Sequence, residues 1–144
     1  MAKSVKLEIV TPERLFYEGD VELVIVRTLT GDEGFMANHM WGCKLLDTGE
    51  LWLKESGSKD YKVAAISEGF IDVKDIITIF TDAAEWPEEI DKERSMTKKE
   101  IAESFLETHK EKETDQEEWK HAKASLMKSI TRMHVAEGGY LKRK

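Results

Sequence analysis

From Val5 to about Phe80 the chain alternates apolar and polar residues, as in Val5-Lys6-Leu7-Glu8-Ile9 and Val21-Glu22-Leu23. A period of two sends successive side chains to opposite faces and predicts strands with one buried face. Turn chemistry punctuates these runs at Glu18-Gly19-Asp20, Thr30-Gly31-Asp32, Asp47-Thr48-Gly49, Ser56-Gly57-Ser58-Lys59-Asp60 and Lys74-Asp75. Seven of the nine glycines precede residue 70, where hairpins, bulges and close backbone approach would use them. No helical pattern separates the strands, so an antiparallel β-sandwich or barrel is expected, with roughly eight to ten strands.

At Glu85-Trp86-Pro87-Glu88-Glu89 the pattern changes, and from residue 88 to residue 137 there is no glycine or proline. Pro87 suits the first turn of a helix, and the acids around it suit the positive end of the helix dipole. Ile90, Arg94, Thr97, Ile101 and Phe105 recur at helical spacing, with Ala102 and Leu106 widening the stripe. His109-Lys110-Glu111-Lys112-Glu113 has nothing apolar to bury and reads as a solvated connector. Thr114-Asp115-Gln116-Glu117 matches a capping box, and Trp119, Ala122, Leu126, Ile130 and Met133 place an apolar seam on the helix after it. The expected organisation is a mainly β N-terminal domain over 1–86, an antiparallel two-helix hairpin over 87–137 and a disordered basic tail over 138–144.

Composition narrows the chemistry. No run approaches the ~18 apolar residues of a membrane span, and Met-Ala-Lys-Ser-Val-Lys lacks the apolar stretch of a signal peptide, so the protein is expected to start and stay in the cytosol. The single cysteine, Cys43, excludes a disulfide within the chain and is expected to pack in the core. A net charge of -7 argues against a general nucleic-acid binder. Its distribution is more telling. Residues 1–87 hold nine bases and sixteen acids, 88–118 hold six and twelve, and 119–144 hold seven and one. The first helix is acidic and the second basic, so the second helix is suited either to its neighbour or to an acidic partner.

Catalytic equipment is thin. His39 with Cys43 could form a thiol and base pair but lacks a third positioned partner, and Glu117 with His121 is one metal-ligand pair where closed sites need about four ligands. Phosphate-binding glycine loops are absent. Neither an enzyme nor a metal protein is expected.

Several strings in order resemble the epsilon subunit of bacterial F-type ATP synthases. Leu7-Glu8-Ile9-Val10-Thr11-Pro12-Glu13-Arg14 with Phe16-Tyr17-Glu18-Gly19 is similar to its first hairpin. Gly31-Asp32-Glu33-Gly34-Phe35-Met36-Ala37-Asn38-His39 resembles its glycine-rich segment, and Ser67-Glu68-Gly69-Phe70-Ile71-Asp72-Val73 a late strand. Thr81-Asp82-Ala83-Ala84-Glu85 leads into Ile90-Asp91-Lys92-Glu93-Arg94-Ser95 as that family enters its first helix. The family usually has Leu-Pro before the Asn-His and Ala-Pro after it, where this chain has Met36-Ala37 and Met40-Trp41.

The resemblance implies a ten-strand sandwich and a non-catalytic rotor subunit of the central stalk, peripheral to the bacterial plasma membrane on its cytoplasmic side. It implies a gamma subunit contacted near His39, a c-ring contacted through Asp32 and Glu33, and a hairpin that extends between the alpha and beta catalytic subunits to block ATP hydrolysis. Lys120, Lys123, Lys128 and Arg132 would meet the acidic beta segment. No cofactor is required. Some members bind ATP as a regulatory ligand through an Ile-Asp-x-x-Arg-Ala string and second-helix arginines; here the matching residues are Ile90, Asp91, Arg94, Ser95, Lys128 and Arg132. Asp91 and Arg94, three apart, would share a helix face. Serine replaces alanine, lysine replaces one arginine and Ile101 another, which weakens bidentate phosphate binding. A generic adaptor with a partner-binding hairpin is the alternative from the residues alone, and a small hydrolase using His39 a third.

Overall fold

The computed structural model describes residues 3–109 and 114–139. Its strands are β1 (Val5–Val10), β2 (Leu15–Thr28), β3 (Gly31–Phe35), β4 (Gly42–Leu46), β5 (Gly49–Glu55), β6 (Tyr61–Ile66), β7 (Gly69–Val73), β8 (Ile76–Thr81) and β9 (Ala84–Glu85). One layer runs β2-β1-β8-β7-β4 and the other β3-β2-β5-β6-β9. The 14-residue β2 belongs to both: its first half pairs with β1 up to Val21, and from Val21 onward it pairs with β5 and β3. Nine strands thus fill ten positions, and no turn forms at Gly19, which is paired opposite Leu7 inside the ladder. β1 and β8 run parallel, against the antiparallel expectation; alternation along a strand specifies its faces and says nothing about its partner's direction.

The core lies between the layers. Leu7, Ile9, Val24, Val26, Leu51, Leu53, Ile71, Val73, Ile77 and Ile79 fill it, and they are the in-phase residues of the alternating runs. At Gly69 the backbone of β8 leaves no room for a side chain: a Cβ there would meet the Phe80 carbonyl, and Phe80 C and Thr81 Cα would each lie 2.8 Å away. All three are backbone atoms that cannot turn aside. Gly69→Ala is therefore expected to destabilise the chain by about 1–3 kcal/mol, read as a lowered urea midpoint.

Pro87–Glu89 forms a single 3-10 turn, not the first turn of the helix. The chain then re-extends at Ile90 and Asp91 before α1 (Lys92–Thr108), whose N-cap is Asp91. α2 (Gln116–Ala136) is capped by Asp115, one residue after the expected Thr114. Aspartate is an effective cap because its carboxylate accepts a free backbone N–H and meets the positive helix end.

α1 and α2 pack along each other. The buried α1 positions are Ser95 and Ala102; Arg94 and Thr97 are exposed, and Ile101 is 65% exposed. The stripe is rotated by one residue from the expected one, because small side chains let the backbones approach and carry that contact. On α2 the expected seam of Trp119, Ala122, Leu126, Ile130 and Met133 is half-buried, and Ser129, Thr131 and Val135 lie deepest. Cys43, expected in the core, is exposed; β4 reaches the core only through Leu46. Lys110 to Glu113 of the connector and 140–144 of the tail lie outside the described residues. The tail's first two residues, expected to be disordered, instead close α2: the Gly138 N–H donates to the Val135 carbonyl (2.9 Å) and the Gly139 N–H to the His134 carbonyl (2.7 Å).

Candidate functional site

The hairpin returns to the sandwich through the far end of α2. Trp52, Val63 and Ala65 project from the outer face of β5 and β6 and form a second apolar cluster with Ile90 and Val135, flanked by Ile25 and Ala136. The local sequence prepares both faces of these strands. In Leu51-Trp52-Leu53 and Val63-Ala64-Ala65-Ile66 all seven residues are buried, and an uninterrupted apolar run marks a strand covered on both sides. That signal was present in the sequence but is invisible to a search for alternation.

Ion pairs flank this dock. Arg132 Nε donates to Glu85 Oε1 at 2.6 Å, tying α2 to β9. Arg14 Nη2 donates to both Glu89 carboxylate oxygens at 2.9 and 2.8 Å and its guanidinium lies 5.0 Å above the Phe16 ring, which stacks on Trp86 at 4.4 Å. The Trp86 backbone N–H donates to Glu89 Oε1 at 2.9 Å. That N–H first, and Arg14 after it, hold the Glu89 carboxyl below its ordinary pKa. A pKa lower in the native state than in the unfolded one adds stability above the unfolded value, ~4.3, and that stability is lost as the pH falls through the native value. Acid titration is accordingly expected to loosen the Trp86 environment, seen in its ring NMR signals. Glu89→Gln should flatten that response, and identical profiles for the two chains would refute the assignment.

The nucleotide candidates are placed unevenly. Ile90 is buried in the dock. The Asp91 carboxylate accepts the Arg94 backbone N–H at 3.0 Å, so Asp91 is the N-cap of α1 and stands just before the helix that carries Arg94. Arg94 is exposed and Ser95 buried. Lys128 and Arg132 line a cleft of about 430 Å³ between the helices together with Lys98, Lys120 and His121. Lys98 was not singled out from the sequence, because its charge lies within an acidic segment. Lys123 stands over the Trp119 ring, 5.7 Å from its centroid. Glu117 and His121 line a neighbouring cleft with Asp115 and Glu118, and among the described residues no group of three or more His, Cys, Asp or Glu is arranged to hold a metal.

Asp32 and Glu33 lie on β3, not in an open loop, and each meets a cation of its own chain: Arg27 Nε to Asp32 Oδ1 at 3.2 Å and Lys44 Nζ to Glu33 at 2.7 Å. Asn38 adopts a positive φ of 67°, which turns the following loop. The His39 ring nitrogen Nδ1 donates to the Met40 carbonyl at 2.9 Å, and the ring packs 4.7 Å from that of Phe35.

An apolar stripe crosses the outer face of the first layer. Leu45 pairs with Phe70, Phe70 with Phe80 and Phe80 with Val10, and the two phenylalanine rings stack at 4.9 Å. Met40 and Trp41, just before β4, are 84% and 64% exposed. Contiguous exposed apolar surface of this kind marks an interaction face. Phe70 and Phe80 are out of phase with the core residues beside them, which is how the sequence could have revealed them. Among the described residues no helix is long and apolar enough to cross a membrane.

Comparison with known proteins agrees with this two-part layout. Residues 4–87 match the family model for the ATP synthase Delta/Epsilon chain beta-sandwich domain, and residues 88–137 that for its long alpha-helix domain. The chain is 42% identical to the ATP synthase epsilon chain of Caldanaerobacter subterraneus subsp. tengcongensis over 138 residues, covering 94% of this chain and 96% of that one. It is 49% identical to that of Alkaliphilus oremlandii over 107 residues, covering 74% and 78%. A chain in the Euglena gracilis mitochondrial ATP synthase OSCP/F1/c-ring structure shares the fold, with a TM-score of 0.74 and 24% identity over 89% of this chain and 78% of that one. With the two domain models matching residues 4–87 and 88–137 and a bacterial epsilon chain matched over nearly its whole length, the chain belongs to the ATP synthase delta/epsilon family and is a non-catalytic subunit of that complex.

Proposed function

We propose that the chain is a rotor subunit of the central stalk, in which the sandwich joins the stalk and the hairpin regulates ATP hydrolysis. The observation that carries this reading is the separation of two apolar clusters: the sandwich core closes on itself, and the hairpin rests on it through a small second cluster. Undocking would uncover Trp52, Val63 and Ala65 without opening the sandwich. The freed basic face of Lys120, Lys123, Lys128 and Arg132 would then suit the acidic segment of the beta subunits. The Leu45-Phe70-Phe80 stripe, with the loop around His39, is the surface for the gamma subunit, and the charged β2–β3 hairpin bearing Asp32 and Glu33 faces the c-ring. Through the complex the chain sits peripherally on the cytoplasmic side of the bacterial plasma membrane.

The assembly half of the reading is tested by co-purification. The full chain is expected to hold gamma under gentle conditions, and Phe70→Ser with Phe80→Ser to weaken that association at least tenfold, the discrimination expected when central aromatic contacts are lost. Failure of the unaltered chain to retain gamma would favour the adaptor alternative.

ATP as a regulatory ligand is a second reading, favoured by the convergence of Lys98, Lys120 and Lys128 on one cleft, beside Arg132, whose guanidinium is paired with Glu85. Ammonium groups contact phosphate as point charges, without arginine's fork, so weak binding is expected. Calorimetry on the folded full chain decides it: no heat at millimolar ATP removes the site.

A further inference from the structure

We propose that the C-terminal end of α2 is a release catch, in which Gly139 seated under Trp52 and the Arg132–Glu85 ion pair together hold the hairpin on the sandwich. The hold is concentrated at one end of the helix: the buried residues of α2 are Ser129, Thr131 and Val135, all within its last eight positions, and Val135 is fully buried. Beyond them the chain turns through Gly138 and Gly139, with φ of 106° and 81°. The Gly139 N–H returns to His134 and the Gly138 N–H to Val135, the reciprocal pair of bonds that ends a helix in a Schellman motif.

This cap does more than stop the helix. Gly139 is buried, and a Cβ there would run into the Trp52 indole and come within 2.9 Å of Val63 Cγ2. Only a residue without a side chain lets the cap settle onto β5 and β6. The Trp52 ring is itself held, since its Nε1–H donates to Glu50 Oε2 at 3.1 Å and its ring meets Tyr61 edge-on at 6.2 Å, so the glycine seat is rigid. About two turns earlier, Arg132 is committed to Glu85, and both side chains are largely withdrawn from water, at 29% and 27% exposure. While the catch is closed Arg132 is unavailable to an acidic partner; opening it uncovers the apolar seat and frees the guanidinium together.

The catch is a property of the isolated chain and stands whether or not a released hairpin inhibits hydrolysis. The test is amide hydrogen exchange on the full chain, comparing residues 129–136 with the sandwich strands β7 and β8. Gly139→Ala combines a strained positive φ with a steric collision, and is expected to lower protection of 129–136 about tenfold or more while β7 and β8 hold. Gly57→Ala is the control for a positive-φ glycine away from the dock: its φ is +80° and a Cβ there meets nothing within 4 Å, so it should leave 129–136 protected. Glu85→Arg should open the same segment, and the exchanged pair Glu85→Arg with Arg132→Glu should restore protection. If Gly139→Ala exchanges like Gly57→Ala in 129–136, the glycine seat is refuted. If Gly139→Ala unfolds the sandwich as well, the charge variants decide, and wild-type protection in Glu85→Arg alone overturns the proposal.

Discussion

Phe35→Ala is expected to cost the chain about 3–5 kcal/mol of stability, the range for deleting a buried aromatic ring when the surroundings collapse only in part. Phe35 is 1% exposed and ends β3, whose only partner among the described strands is β2. Without the ring that outer hairpin loses its anchor in the core, and His39 loses the surface it packs on. Urea unfolding should show a lower midpoint with an unchanged slope, because the area exposed on unfolding barely changes. A loss under ~1 kcal/mol would mean that the site refills, contrary to the close packing of a sandwich core. Since the second cluster shares none of these residues, the hairpin should stay docked at urea concentrations where the variant sandwich is intact.

Deleting residues 88–144 is expected to leave a folded sandwich that still joins the complex, while ATP hydrolysis by that complex rises severalfold. The fold survives because every residue of the main core precedes position 87. The deletion uncovers Trp52, Val63 and Ala65 and removes Ile90 and Val135, so solubility falls and some stability is lost, on the order of 1.5–3 kcal/mol for each large apolar side chain exposed. Arg14 also loses Glu89, a partly exposed pair of small worth. Steady-state hydrolysis by the complex carrying full-length or shortened chain reads the regulatory claim. Equal rates, with the shortened chain shown to be bound, would remove the inhibitory role and leave the assembly role standing.

Much of this was legible because it depends on residues near one another in sequence. The alternating runs became strands whose in-phase residues fill the core, and the change of pattern at Glu85 to Glu89 became the junction between the two parts. The local signals failed where several solutions were locally equivalent. Asp115 displaced Thr114 as the cap because either can accept a backbone N–H. Gly19 read as a turn and became a strand residue, because β1 offered it a ladder partner. Gly138 and Gly139 read as the start of a disordered tail and became a buried cap, because Trp52, more than eighty positions away in sequence, supplies its seat. Cys43 followed the habit of its residue type into an expected core, yet it sits on a strand where only Leu46 points inward.

What the sequence by itself determined is the division into a β part and a helical part, the identity of the sandwich core, the charge contrast between the helices and the family. These depend on periodicity, turn chemistry and the order of motifs, all carried along the chain. Only the tertiary structure decided that β2 serves both layers, that β1 and β8 run parallel, that α2 rests on β5 and β6, and that Arg132 meets Glu85 while Lys98 joins the basic cleft. Each of these brings together residues distant in sequence. Pattern specifies which face of an element is buried; the choice of what covers it depends on shape and charge complementarity between surfaces that exist only after the chain has folded.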